Sequence, residues 1–270
     1  MSIDAPSVLL RNNVRELGDP AGRPIVFAHG YGCSQAMWRD VVPHFLDGFR
    51  VVLFDHVGAG NSDTAAYDRG KYDSLHGYAS DVLEIVHALD LRDVVMVGHS
   101  VSATISVLAA NREPDRFGAL VLVGPSPRYT DDDAGYRGGF TRADIDQLLE
   151  TLDANHLGWS ATMAPVIMGN PDRPALGQEL TESFCRIAPE IASHFAHVTF
   201  LSDNRADLAE VTVPTLILQS ADDVIAPDHV GVYVHEHIPG STFVRIAASG
   251  HVANLSAPDE VAGAILTYLA

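Results

Sequence analysis

Cysteine is nearly missing from this chain: Cys33 and Cys185 are the only two in 270 residues. Two thiols build neither a disulfide framework nor a four-thiolate zinc site, and no C-x-x-C pair is present. Basic residues are scarce as well, 17 Lys and Arg against 35 Asp and Glu, a net charge of −18. So acidic a chain lacks the clustered cations that grip a phosphate backbone or an anionic membrane surface, which removes nucleic acid and membranes as expected partners. Long apolar runs are lacking too. A membrane span needs roughly 18 uninterrupted apolar residues, and the best stretch, Val94 to Ala110, is broken by Gly98, His99, Ser100 and Ser102. The opening MSIDAPSVLLRNNV has neither the basic start nor the apolar stretch of an export signal. The expectation is a cytoplasmic protein with reduced thiols. Internal repeats and low-complexity tracts are also absent, which excludes solenoids and arrays.

What is present is an ordinary globular composition, 47% apolar and 19% charged, in a chain near the upper length for one core. Short apolar runs alternate with helical patterns. Pro24-Ile-Val-Phe-Ala28, Arg50-Val-Val-Leu-Phe54, Val94-Val-Met-Val97, Ala119-Leu-Val-Leu-Val123, Thr215-Leu-Ile-Leu218 and Thr242-Phe-Val-Arg-Ile246 read as strands. Between them the patterns predict helices over 34–45, 78–89 and 101–110, with a terminal one over 258–269. Near-continuous Val/Ile/Leu strands alternating with helices predict an α/β fold, a mostly parallel sheet covered on both faces.

The alternation fails over 126–205, where no good strand is found and Ile145, Leu148, Leu149 and Leu152 repeat at helical spacing. Gly158, Gly169-Asn-Pro171 and Pro189 punctuate the segment. The expected organisation is a core in two parts, 1–125 and 206–270, with 126–205 inserted as a helical cap over the strands' C-terminal ends. In open α/β sheets that edge is where ligands bind.

The strongest chemical signal is Val97-Gly98-His99-Ser100-Val101-Ser102, which closes a strand and opens a helix. A serine on so sharp a turn projects its hydroxyl, and the crowding of strand against helix demands small residues two before and two after it. Gly98 and Ser102 satisfy that demand, although the usual final glycine is a serine here. A serine hydroxyl needs a base within hydrogen-bond reach. Of thirteen histidines, His251 has the right place, in Ala248-Ser-Gly-His251 after a late strand and before the last helix. His29 and His99 flank the elbow and read as loop scaffolding, and His235-Glu236-His237 does not have the spacing of a metal motif. The orienting carboxylate is expected after Leu216-Ile-Leu218, where Asp222 and Asp223 stand side by side and spacing alone does not separate them. Backbone donors for a tetrahedral intermediate are expected from the amide of Val101 and from the turn His29-Gly30-Tyr31-Gly32, through the main chain of Tyr31. Neither Gly30-Tyr-Gly32 nor Gly58-Ala-Gly60 continues as G-x-G-x-x-G, so no nucleotide cofactor is expected. No metal or other cofactor is expected either.

Taken together these residues resemble the α/β-hydrolase superfamily over essentially the whole chain. His29-Gly-Tyr-Gly32, Asp55-His-Val-Gly-Ala-Gly-Asn-Ser-Asp63, Gly98-His-Ser-Val-Ser-Ala103 and Gly138-Gly-Phe140 are similar to the bacterial RsbQ-like group. So are Gly158-Trp159, Ala164-Pro165, Met168-Gly169, Ser183-Phe-Cys185 and Phe200-Leu-Ser-Asp203. Plant strigolactone and karrikin-type receptors share that architecture. The resemblance implies a serine hydrolase with Ser100, His251 and Asp223, rather than Asp222, as its triad, and a small apolar pocket. It also implies, as the alternative, a signalling protein that acts with a partner phosphatase in a bacterial stress response. Trp159, Met163 and Phe195 are the expected pocket residues of the cap. An apolar wall and an acidic surface predict a small uncharged ester or lactone as ligand.

Overall fold

The computed structural model describes residues 5–270. In chain order the elements are α1 (Ala5–Arg11), β1 (Arg15–Gly18), β2 (Arg23–Ala28), β3 (Phe49–Leu53), α2 (Leu75–Ala88), β4 (Val94–His99), α3 (Val101–Arg112) and β5 (Phe117–Val123). Four helices follow, α4 (Arg142–Ala154), α5 (His156–Met168), α6 (Pro174–Cys185) and α7 (Pro189–Phe200). The chain then completes β6 (Thr215–Asp222), α8 (Asp228–His237), β7 (Thr242–Ser249), α9 (Ala253–Ser256) and α10 (Pro258–Leu269). The seven strands form one sheet in the order β1-β3-β2-β4-β5-β6-β7, parallel except for β1, which runs antiparallel to β3. This is the α/β architecture the alternation predicts.

Period-two alternation explains why both faces are covered. Ile25, Phe27, Val95, Val97 and Val121 feed one core, while Val26, Val52, Met96, Leu120 and Leu122 feed the other. The second core is closed by α2 and α3. Small residues suit α3 to its sandwiched place, where every residue from Val101 to Ala110 is buried.

Two readings of local structure change. The segment 34–45 is not one helix but two short 3-10 turns, Gln35–Trp38 and Val42–Phe45. Pro43 has no amide to continue an α-helical ladder and starts the second turn instead. Strand β1 carries the polar run Arg-Glu-Leu-Gly at an exposed edge, so it has no apolar signature to read. Residues 126–205 do hold four helices, with an isolated bridge between Thr130 and Phe140. Thr141 and Asp144 form a capping box on α4, Asn155 caps α5, Gly169 ends α5 in the left-handed region, and Pro174 and Pro189 open α6 and α7. Gly158 lies inside α5 rather than breaking it. Among the described residues, no helix is long and apolar enough to cross a membrane.

Candidate active site

The C-terminal ends of the parallel strands bring the expected residues together. Ser100 stands between β4 and α3 at φ 58°, ψ −125°, a conformation that costs a non-glycine residue about 1–3 kcal/mol and is held only by its surroundings. Those surroundings are tight. A Cβ on Gly98 would lie 2.3 Å from the carbonyl oxygen of Ser102, so position 98 accepts only glycine. Position 102 tolerates a serine because its hydroxyl is used: it donates to the carbonyl of His29 and accepts from His56 Nε2 at 2.8 Å. The final residue of the elbow thereby ties three strand-end loops together.

His251 follows β7, and its imidazole bridges two partners. Nε2 lies 2.7 Å from Ser100 Oγ, and Nδ1 lies 2.7 Å from Asp223 Oδ2. All three side chains are buried. The other oxygen of Asp223 accepts the amides of Ile225 and Ala226 at 2.8 and 2.9 Å. Burial by itself would raise the Asp223 carboxyl, but His251 and these two amides outweigh it and hold the group below its ordinary value. Asp222 is exposed, and its carboxylate reaches only the hydroxyl of Ser249, at 3.4 Å. The neighbours that spacing left unresolved are therefore separated by geometry.

The main chain of His251 is clamped from both sides. Its amide donates to the carbonyl of Ile167 on α5 at 2.9 Å, and its carbonyl accepts from His99 Nε2 at 2.8 Å. His99 is thus scaffolding, with a task that the dipeptide His99-Ser100 does not disclose. Burial, and next the proximity of His251, push its pKa down to about 3, so it is a neutral ring. Burial lowers His29 and His56 likewise. His29 donates through Nδ1 to the Gly30 carbonyl and accepts the His56 amide at Nε2, which is scaffolding of the neutral form.

The turn after β2 runs against Ser100: a Cβ on Gly30 would lie 3.2 Å from the Cβ of Ser100. The amides of Tyr31 and Val101 have no protein acceptor among the described residues. The Tyr31 phenol donates to the carbonyl of Ala192 on α7 at 3.0 Å, so one residue links the turn to the helical insertion.

Ser100 and His251 open onto a narrow cavity. Trp159, Ile167, Leu180, Phe184, Thr199 and Phe200 of the insertion line it. Trp159 is where the sequence placed it, stacked on Phe184 at 5.8 Å. Met163 and Phe195 are not. Met163 comes one turn after Trp159 and lines an outer groove against α4. Phe195 lies a turn before Thr199 and stacks on Tyr78 of α2 at 4.3 Å, behind the Tyr31 turn. Leu180, Phe184 and Thr199 were missed, because helical periodicity names buried positions without saying which of them border a void, and Tyr129, in the loop after β5, carries no periodic signal. Cys33 also lines the cavity, but burial pushes its thiol up to about 12, so it is not a nucleophile. Among the described residues no three His, Cys, Asp or Glu converge as metal ligands.

Residues 23–258 match the family described as the alpha/beta hydrolase fold. The chain belongs to the α/β-hydrolase family. A rice (Oryza sativa subsp. japonica) protein named as a probable esterase is 39% identical over 96% of this chain and 95% of its own. The "Karrikin insensitive 2 receptor CA" of Petunia hybrida is 38% identical over 96% and 95%. Among solved structures, the hydrolase olei00960 from Oleispira antarctica superposes with a TM-score of 0.96 at 38% identity, covering 100% of this chain and 98% of that one. Relatives named esterase and hydrolase agree with the serine hydrolase that the elbow predicts.

Proposed function

We propose that the protein is a cytoplasmic serine esterase or lactonase for compact, uncharged substrates, with Ser100 as nucleophile, His251 as general base and acid, and Asp223 as the orienting carboxylate. One observation carries this reading: a single imidazole within 2.7 Å of both a strained elbow serine and a buried carboxylate. In the first step Ser100 Oγ attacks the acyl carbon while its proton passes to His251 Nε2. Asp223 fixes the tautomer with Nδ1–H and stabilises the imidazolium. The oxyanion falls to the unpaired amides of Tyr31 and Val101. Collapse breaks the acyl–oxygen bond, and the leaving alcohol takes the proton from Nε2. Water, deprotonated by the same ring, then attacks the acyl-enzyme and restores Ser100.

The segment 126–205 acts in this reading as a cap between the core parts 1–125 and 206–270, shielding the acyl-enzyme from bulk water. A largely apolar cavity without Lys or Arg in its lining, on a chain of net charge −18, favours neutral substrates and repels anions. The test is a screen of short-chain esters and lactones with intact-mass detection. A serine-directed phosphonate is expected to label Ser100, and Ser100→Ala is expected to lower turnover by on the order of a thousandfold or more while the fold persists. Wild-type turnover by a folded Ser100→Ala protein sinks the assignment.

A second reading uses the same pocket. In an RsbQ-like signalling protein, hydrolysis is slow and the output is contact with a partner phosphatase in a stress response. The narrow pocket above Ser100 and the similarity to a protein named a receptor favour it. A long-lived Ser100 adduct in the same screen, in place of turnover, selects this reading.

A further inference from the structure

Thr199 on α7 is 1% exposed, and its hydroxyl is buried without a hydrogen-bond partner. Helical threonines ordinarily bond back to the carbonyl one turn earlier. Thr151, Thr162, Thr181 and Thr267 do so here, to Gln147, Gly158, Gly177 and Gly263. Thr199 does not, and it is the one among them that lines the cavity above Ser100. A buried hydroxyl left unpaired is costly enough to call for an explanation.

The other hydroxyl and ring N–H donors at this cavity are engaged, while His99 Nδ1 is a buried acceptor without a partner. Ser100 and His251 hold each other, the Tyr31 phenol donates to Ala192, and His99 Nε2 donates to His251. Tyr129, in the loop after β5, lines the cavity as well, with its ring edge-on to Phe200 at 4.9 Å. Burial raises its phenol above the ordinary range, while a hydrogen bond with Ser100 opposes this, so the phenol belongs to the catalytic corner of the cavity.

We propose that Thr199 forms a second polar anchor that selects substrates carrying one further acceptor oxygen, a ketone or an ether, away from the scissile carbonyl. The inference rests on the hydrolase reading of the pocket and narrows its substrate class. The buried Thr199 hydroxyl is a donor without an acceptor, and one acceptor oxygen on the ligand satisfies it. With no cation in the lining, that oxygen belongs to a neutral group rather than a carboxylate. A site built to bond an oxygen discriminates strongly against the analogue lacking it, because its own polar groups are then left unpaired.

The experiment compares methyl hexanoate with its keto analogues at the third, fourth or fifth carbon. Turnover is measured for the wild type, Thr199→Val and Thr199→Ser. Dissociation constants are measured by tryptophan fluorescence in the Ser100→Ala protein with and without Thr199→Val. The wild type is expected to prefer at least one keto ester by about tenfold or more. Thr199→Val, which keeps the shape and loses only the hydroxyl, should bring that ratio within about twofold by weakening the keto esters more than methyl hexanoate, while Thr199→Ser retains the preference. A ratio near one for every keto ester, in turnover and in binding, overturns the anchor and leaves the hydrolase reading standing; a hydroxyl satisfied only by water gives that result. No turnover of any of the four esters, with a Thr199-dependent binding ratio intact, sinks the hydrolase reading and leaves the anchor. Equal loss on plain and keto esters in Thr199→Val marks a packing role and overturns the proposal.

Discussion

Around Ser100 the floor of the pocket is held by directed hydrogen bonds, whereas the wall that α5, α6 and α7 supply is held by ring contacts. On the floor, His251 has partners at both ring nitrogens and at both main-chain polar groups, and Asp223 accepts two amides besides the imidazole. In the wall, Trp159 and Phe184 stack on each other, and both pack with Phe200 on Tyr31, contacts that fix no angle by hydrogen bonding. Chemistry needs atoms placed to within a fraction of an ångström. Exclusion of water and choice of ligand need volume and shape. Changes to the floor should therefore act on kcat, and changes to the wall on KM and on which substrate is preferred.

The largest effect expected in a single floor residue short of the nucleophile is that of Asp223→Asn. The amide would leave the imidazole in the wrong tautomer, and the comparable change in a well-studied triad costs up to about 10⁴ in kcat. Asp222→Asn should change kcat by less than about twofold, since its side chain is exposed and does not reach the ring. Steady-state rates for the two variants decide it, and reversed outcomes would exchange the assignments.

A second floor prediction uses pH. His99 is buried neutral with its pKa pushed down to about 3 from 6.5. Between those values the unfolded chain binds a proton at this ring that the folded one does not. Stability is thus lost as pH falls from about 6.5 toward 3, by about 1.4 kcal/mol per pH unit for this one group. His99→Gln can still donate to the His251 carbonyl but has no proton to gain. Urea unfolding at pH 7, 6 and 5 should show a pH slope smaller in the variant by about that amount. Equal slopes would mean that His99 is not held neutral. Asp223, whose pKa is lowered instead, stabilises the fold at pH above the ordinary carboxylate value, and that contribution is lost as pH falls below it.

The same contrast explains what could be read from the chain alone. The parallel sheet was legible because buried strands write near-continuous apolar runs, as in Val94-Val-Met-Val97 and Ala119 to Val123. Ser100 and His251 were legible because an elbow and a late strand-end loop have local signatures. The choice of Asp223 over Asp222 came from family resemblance, since adjacent carboxylates differ only in which way the chain turns after β6. The wall was legible as helices but not as a surface. Met163 and Phe195 were expected on the pocket and face elsewhere, because a helix that is apolar on several sides does not announce which side borders the void. Thr199 carried no signal at all: a polar residue on an amphipathic helix reads as a solvated position.

The wall itself is tested at Trp159, which is 4% exposed and borders both the Ser100 cavity and the outer groove between α4 and α5. Trp159→Ala should breach that partition. KM for a small ester should rise by about tenfold, and discrimination against branched esters should shrink. Truncating so buried an aromatic should also cost about 3–5 kcal/mol of stability. Trp159→Phe, which keeps a ring against Phe184, should lose little of either. In a Trp38→Phe background the remaining tryptophan reports ligand directly, and an unchanged signal at saturating ester would move the ligand away from this wall.

The smallest effect is expected where floor and wall meet. In the proposed mechanism Tyr31 offers its amide to the oxyanion; its ring packs on Trp159, Phe184, Phe195 and Phe200 and its phenol donates to Ala192. Tyr31→Phe keeps the ring and deletes only the strut to α7. A neutral hydrogen bond contributes about 0.5–1.5 kcal/mol net, so stability should fall by no more than that. If the strut also aims the amide, kcat should fall by a few-fold to about tenfold with KM unchanged. Affinity for a boronic acid that mimics the oxyanion on Ser100 should drop by the same factor. Binding of the intact ester to a Ser100→Ala protein should not change, because the ground-state carbonyl asks less of that donor. A loss confined to stability or to KM would show that the strut belongs to the wall alone and that the floor holds its own geometry without it.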